Sequence, residues 1–329
     1  MLTRREELLR ATTEAATVLN RFPVGKRTSF DVVGAVTDLG IPLVFRPLDG
    51  LWGATIIVQD AVRGILVTTK LGLAVQRFTL AHELGHVLLG HQTSLDATIG
   101  FAGRFERGTR PIREVAADTF ASELLAPRAL MLAAASARGW TRQALRSSAN
   151  VYQLSLRLGV SYQAACWALA AHQVISEATA RLLQDETVKD LKLKLAPAAI
   201  IQNPWSDVWK VTESDTDQIL EAGPDDIFAV HLQDNASAGY VWELVDTGPD
   251  ASILHEQSAG LESYGAPTSR IIFLRFNSSG AHRLAFEHRR PWNKQRLAHI
   301  DIAIDNHGKE LGGLPRRSRE RALATLVAA

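Results

Sequence analysis

The sequence predicts an α+β protein of two domains, the first mainly helical with a small sheet and the second an all-β sandwich. Three observations carry this. The chain has 329 residues, which suits about two domains. Apolar residues recur at helical spacing through most of residues 1–195, interrupted by one short strand-rich stretch. From residue 196 on, short strand-like runs alternate with turn residues, as in a sandwich.

In chain order, residues 4–20 read as a helix and Ser29 to Leu39 as another, with Ser29 as N-cap and Gly40 as stop. Strands are expected at Leu43 to Arg46, Trp52 to Gln59 and Arg63 to Thr69, the last as an edge strand beside a cleft. A helix is expected over 72–90, then a loop from Gln92 to Arg110. That loop holds Gly100, Gly103 and Gly108 with Arg104, Arg107 and Arg110, and suits either a cleft wall or a solvated basic loop. Helices resume at 111–125, 128–138, 141–147, 150–157, 161–172 and 175–183. In the second part, strands are expected at Asp207 to Thr212, Ile227 to Leu232, Tyr240 to Val245, Ser252 to Glu256, Arg270 to Phe276, Ala281 to His288 and Ala298 to Ile304. The expected division is 1–195, 196–310 and a basic tail over 311–329, the tail with a short helix near 317–327.

Composition narrows the function. A hydrophobic fraction of 46% is ample for packed cores, and a net charge of +1 gives no bulk argument for nucleic-acid or acidic partners. The single cysteine, Cys166, excludes an internal disulfide and sits in an apolar helical run, so it reads as a core residue. Met1-Leu-Thr-Arg-Arg-Glu-Glu-Leu-Leu9 lacks the apolar centre of a signal peptide, and no apolar run reaches membrane-spanning length. A cytoplasmic protein without a membrane partner is expected.

Chemistry concentrates in Arg77-Phe-Thr-Leu-Ala-His-Glu-Leu-Gly-His-Val-Leu-Leu-Gly90. His82 and His86, four apart on a helix, present two imidazoles to one metal ion, with Glu83 beside them. Two neutral nitrogens, one further ligand and an open position suit zinc, and Glu83 is placed to take a proton from water. Mn²⁺ is an alternative occupant in the cell. A third His six residues after His86 is absent, since that position is Gln92. The next helix, Glu114-Val-Ala-Ala-Asp-Thr-Phe-Ala-Ser-Glu-Leu-Leu-Ala-Pro127, offers Glu114 as a third ligand, as in gluzincins. Asp118 then stands to accept a hydrogen bond from a ligand histidine.

The two motifs together resemble the ImmA/IrrE family of zinc metallopeptidases, over roughly residues 1–185. The resemblance implies an intracellular, single-zinc, gluzincin-like endopeptidase with ligands His82, His86 and Glu114 and catalytic base Glu83. It also implies a protein substrate, for several members a repressor of the Xre helix-turn-helix type, cut during stress. Asp118 departs from the Asn of many relatives, and both side chains can accept the bond. The oxyanion donor is open, with Tyr152 and His91 as candidates.

Leu154 to Leu169, within a helical segment over about 140–185, resembles a helix-turn-helix with Gly159 at the turn and Ser161 as cap. Its second helix offers Gln163 and then mostly Ala, Trp and Leu, so packing is expected and direct DNA binding is not.

In the second part, Asp234-Asn-Ala-Ser-Ala-Gly-Tyr-Val-Trp242, Gly265-Ala-Pro-Thr-Ser269 and Arg290-Pro-Trp292 resemble the three loops of the chagasin family of cysteine-peptidase inhibitors, over roughly 205–305. The glycine loop lacks its second glycine, and Ala236-Ser237 replaces the usual Thr-rich pair. The resemblance implies an immunoglobulin-like sandwich whose loops, through Tyr240, Gly265, Arg290 and Trp292, bind a protein or peptide partner or fold back as a lid. Trp242 reads as core and Trp292 as exposed. Two other functions compete with the peptidase: a binding or sensor module that captures peptides or cysteine peptidases, and a DNA-binding regulator with a relic peptidase fold.

Overall fold

The computed structural model describes residues 3–58, 62–91, 95–96, 110–235, 238–246, 250–258, 268–293 and 295–318. Helix α1 (Arg4–Arg21) starts at a capping box, Thr3 with Glu6, and buries Ala11, Ala15 and Val18 along one stripe. Helix α2 (Val32–Asp38) is capped by Asp31, whose Oδ1 accepts from Gly34 N at 2.8 Å. The expected cap Ser29 instead donates to Glu221 at 2.6 Å. A carboxylate two residues nearer the helix satisfies the free N–H, which releases the serine.

Strands β1 (Leu43–Arg46), β2 (Gly53–Val58), β3 (Val62–Thr68) and β4 (Leu95–Asp96) form a sheet in the order β1-β3-β2-β4. The expectation that 63–69 forms an edge strand is therefore corrected: β3 lies inside, parallel to β1 and antiparallel to β2. Its buried Ile65 and Val67 explain this, because an interior strand must bury its apolar run. Helix α3 (Leu73–Leu88) is buried at every position from Gln76 to His86. It packs on β2, β3 and helix α4 (Ile112–Leu125). Gly85 makes the α3–α4 approach close: a Cβ there would lie 3.1 Å from Phe120 Cδ1. Helices α5 (Arg128–Ser136), α6 (Ser148–Leu158), α7 (Tyr162–Ala171), α8 (Glu177–Leu183) and α9 (Val188–Leu195) complete this half. The sequence reading did not anticipate α9. Cys166 is buried in the core of this half.

Among the described residues, the second half contains two four-stranded sheets. One runs β5 (Val208–Val211), β7 (Ile227–Asp234), β10 (Thr268–Phe276), β9 (Ala251–Ser258). The other runs β6 (Ile219–Glu221), β12 (Arg296–Asp305), β11 (Ala281–Arg289), β8 (Val241–Asp246). Trp209, Phe228, Phe276, Leu284, Phe286, Ile300 and Ile302 form the core of this half. Each such side chain contributes about 1.5–3 kcal/mol by burial. The three-residue β6 is too short to show as a periodic run, and the sequence reading missed it.

The two halves are stitched together by polar contacts. Tyr152 on α6 donates to Asp207 Oδ1 at 2.9 Å and accepts from Val208 N at 3.1 Å. Gln153 bonds both Val208 O and Lys210 N at 2.8 Å. Arg157 and Arg138 both donate to Asp215, which is 0% exposed. The first helix of the helix-turn-helix-like segment is thus an internal docking helix, and its polar residues are used on β5. Past the second sheet, the chain returns to the first half. Gly313 and Phe45 exchange two backbone hydrogen bonds of 2.8 Å, and Gln76 bonds the Glu310 backbone in both directions, at 3.0 and 2.8 Å. Gly313, read as part of the tail, therefore pairs with β1, and Glu310, just before the expected tail, bonds the start of α3. Most of the expected helix over 317–327 lies outside the described residues.

The registers also place the loops of the second half. β7 starts at Ile227, beside Val208 and the docking helix, and ends at Asp234. β12 starts at Arg296 and ends at Asp305, whose Oδ2 accepts from Arg27 at 3.2 Å. Asn235 and 238–240, with 290–293, therefore sit at the far end of the sandwich, about 30 Å of strand from the contact with the helical half. A lid over α3 built from these loops is ruled out by that placement.

Candidate metal centre

Helical spacing puts His82 and His86 one turn apart on α3, and the close α3–α4 approach at Gly85 brings Glu114 to them. His82 Nε2 and His86 Nε2 lie 3.0 Å apart, and Glu114 Oε2 lies 3.6 and 3.4 Å from them. All three residues are buried, and among the described residues they are the one group of three or more His, Cys, Asp or Glu whose ligand atoms converge closely enough to hold a metal ion. Arg113 Nε donates to Glu114 Oε1 at 3.1 Å, so the other carboxylate oxygen is the one facing the imidazoles.

Each imidazole is held from behind. His82 Nδ1 lies 2.9 Å from Asp118 Oδ1, and Arg110 donates to Asp118 Oδ2 at 2.6 Å. His86 Nδ1 lies 2.9 Å from His91 Nδ1, and His91 Nε2 lies 3.1 Å from Glu7 Oε1. Burial lowers the pKa of His91 below its ordinary value, against the opposing pull of Glu7. Glu83 is fully buried next to His82 in sequence, and Thr55 Oγ1 on β2 donates to its Oε2 at 2.7 Å. Gly53, also on β2, lets the strand approach: a Cβ there would lie 2.9 Å from Glu83 Oε1.

Sequence reasoning missed Thr55, Gly53 and Glu7, and the contact of Arg110 with Asp118. No spacing rule links them to the motif, because they reach it from other elements. Two residues it considered are corrected. Tyr152 is no oxyanion donor, since its hydroxyl is spent on Asp207 and Val208 at the contact between the halves. Burial and the neighbouring Asp207 push its pKa well up. His91 is not one either: its ring sits behind His86, on the Nδ1 side, away from the converging Nε2 atoms.

At the far end of the sandwich, Arg290 Nε donates to Ala238 O at 3.1 Å, and its guanidinium lies 4.6 Å from the centre of the Tyr240 ring. Gly239, at φ +78°, faces the Trp292 ring, where a Cβ would lie 2.7 Å from Cη2. Tyr240, Arg290 and Trp292 thus come together, and Trp292 is 75% exposed. Gly265 lies outside the described residues. Trp242 is 2% exposed and stacks on His288 at 4.9 Å, as a core aromatic.

Residues 36–170 match the family model of the IrrE N-terminal-like domain, a peptidase family, and residues 221–304 match that of the chagasin family of peptidase inhibitors. The chain therefore joins a peptidase-family domain to a chagasin-like domain, in that order. Among solved structures, a cysteine protease inhibitor from Entamoeba histolytica is 21% identical and covers 32% of this chain and 100% of its own, with a TM-score of 0.30. A transcriptional regulator from Mycobacterium tuberculosis is 16% identical and covers 82% of this chain and 76% of its own, with a TM-score of 0.33. No curated protein matches. Among the described residues, no helix is long and apolar enough to cross a membrane.

Proposed function

We propose that the first half is a zinc-dependent, gluzincin-type endopeptidase that hydrolyses a peptide bond in a specific protein inside the cell, a repressor of the Xre type. The convergence of His82 Nε2, His86 Nε2 and Glu114 Oε2 carries this reading. Ligand bonds of about 2.0–2.1 Å in a tetrahedron put ligand atoms about 3.3–3.4 Å apart. The three separations here, 3.0, 3.4 and 3.6 Å, bracket that value. Two imidazole nitrogens and one carboxylate oxygen are also the donor set zinc prefers.

A zinc ion at these atoms supplies Lewis-acid chemistry, polarising the scissile carbonyl and acidifying water. Glu83 supplies the proton transfers. Its buried carboxylate accepts the proton of the attacking water and hands it to the leaving amine nitrogen. Thr55 holds one carboxylate oxygen through its 2.7 Å hydrogen bond and so sets the orientation of the base. Asp118 holds His82 in the tautomer that leaves Nε2 unprotonated.

The second half docks a protein partner through Tyr240, Arg290 and Trp292. An exposed Trp and an Arg on a rigid sheet end are the side chains most enriched at binding anchors.

The test uses the purified full chain, its zinc content and a co-encoded repressor as substrate. Wild type is expected to hold about one zinc and to cut the repressor, Glu114→Ala to lose the metal, and Glu83→Gln to keep it yet lose cleavage by several orders of magnitude. Wild type without metal, or Glu83→Gln cutting at the wild-type rate, overturns the reading.

A further inference from the structure

We propose that Glu7 and His91 are positioning residues that fix which nitrogen of His86 presents its lone pair to a metal ion; this rests on the metal-site reading above. The observation is a three-member chain, Glu7 Oε1 to His91 Nε2 at 3.1 Å and His91 Nδ1 to His86 Nδ1 at 2.9 Å. Its proton pattern follows from valence. An ionised carboxylate only accepts, so His91 Nε2 carries the hydrogen. A neutral imidazole has one N–H, so His91 Nδ1 bears a lone pair and accepts from His86 Nδ1–H. The same rule then strips the proton from His86 Nε2, the atom facing His82 Nε2 and Glu114 Oε2.

The opposite ligand reaches the same state in one step, because Asp118 accepts from His82 Nδ1–H directly. With both Nδ1 atoms protonated, two Nε2 lone pairs and one carboxylate oxygen converge on a single point, as a cation requires. The chain is built rather than incidental. Glu7 comes from α1, where it shares a buried stripe with Ala11, Ala15 and Val18. A carboxylate in that position is costly unless something uses its charge. Arg10 reaches Glu7 at 3.8 Å but is half-exposed and screened. His91 is the buried partner.

The proposal predicts tautomers and affinities. In ¹⁵N-labelled wild type, with and without zinc, long-range ¹H–¹⁵N spectra of the imidazoles are expected to show His91 protonated at Nε2 and His86 protonated at Nδ1. His91→Leu and Glu7→Leu are expected to weaken zinc binding tenfold to a hundredfold in chelator competition, with the helical circular dichroism retained. His91→Asn, whose Oδ1 stands near the position of Nδ1 and accepts a hydrogen bond, is expected to recover most of the lost affinity. A purely space-filling role for His91 would favour Leu over Asn. His91 protonated at Nδ1, or a His91→Leu affinity equal to wild type, or Asn no better than Leu, overturns the relay. In those cases wild type still binds zinc, whereas failure of wild type to bind zinc overturns the underlying metal site as well.

Discussion

Arg77, five residues before His82 on the same helix, forms a 2.7 Å ion pair with Glu221 of the β-half. Its Nη2 also donates to Phe30 O at 2.5 Å, and its Nε lies over the backbone of Gly159, where a Cβ would come within 2.7 Å. The helix that carries His82 and His86 is therefore anchored to the second sheet system by a nearly buried guanidinium. Glu221→Ala removes the partner and leaves that charge behind, so a loss of about 3–5 kcal/mol is expected in urea unfolding. The double change Arg77→Met with Glu221→Leu is expected to recover much of it. A loss below about 1 kcal/mol for Glu221→Ala would mark the pair as incidental.

Gly85 sets the distance between α3 and α4. Gly85→Val places carbon where Phe120 already stands, 3.1–3.2 Å from the Cβ position. A residue other than glycine gains up to about 1 kcal/mol of helix propensity, and overpacking costs about 1–3 kcal/mol. Net destabilisation is expected, together with weaker zinc binding, since Glu114 rides on the displaced helix. A Val variant with wild-type melting temperature and zinc affinity would show that the close approach is dispensable.

Asp215 governs acid sensitivity at the contact between the halves. Burial pushes its carboxyl pKa up, but Arg157 and Arg138 outweigh that and leave it below the ordinary value. The sign follows from the depressed folded-state pKa. The contribution is fully present above the unfolded pKa of about 3.9 and is lost as pH falls through the folded pKa. Wild type is thus expected to lose stability steeply below about pH 4, and Asp215→Asn to start lower and fall less steeply. Equal slopes in denaturant titrations from pH 5 to pH 2.5 would remove Asp215 from this role.

Tyr240, Arg290 and Trp292 are expected to act on a partner and not on the metal. The triple change to Ala should leave zinc content, thermal stability and cleavage of a short peptide near wild type. Binding of a papain-type cysteine peptidase, or cleavage of the full-length repressor, should weaken roughly tenfold or more. If a folded triple variant binds and cleaves as wild type does, the cluster serves only to close the sandwich.

What was legible in the sequence was whatever local periodicity encodes. Residues four apart on a helix share a face, so the facing of His82 with His86 and of Glu114 with Asp118 follows from spacing alone. Alternating runs and turn residues likewise mark β7, β10, β11 and β12, because strand pleat and turn chemistry are local. The exposed Trp292 and buried Trp242 follow from one lying in a proline-flanked loop and the other in a strand.

The remainder is decided by contacts between distant segments, and a single sequence carries no local signal for those. Glu7 reaches His91 across 84 positions, and Thr55 reaches Glu83 across 28. Tyr152 looked free to serve chemistry until Asp207 and Val208 were packed on it, and His91 looked like a substrate-side donor until its ring was placed behind His86. Buried polar groups must find partners, and which partner each finds depends on how whole elements pack. The sequence by itself determined the candidate donor residues His82, His86 and Glu114 and the helices that carry them. The tertiary structure decided which buried groups orient those residues, that Glu221 of the second sheet system and the returning chain at Glu310 brace α3, and that Gly313 pairs with β1.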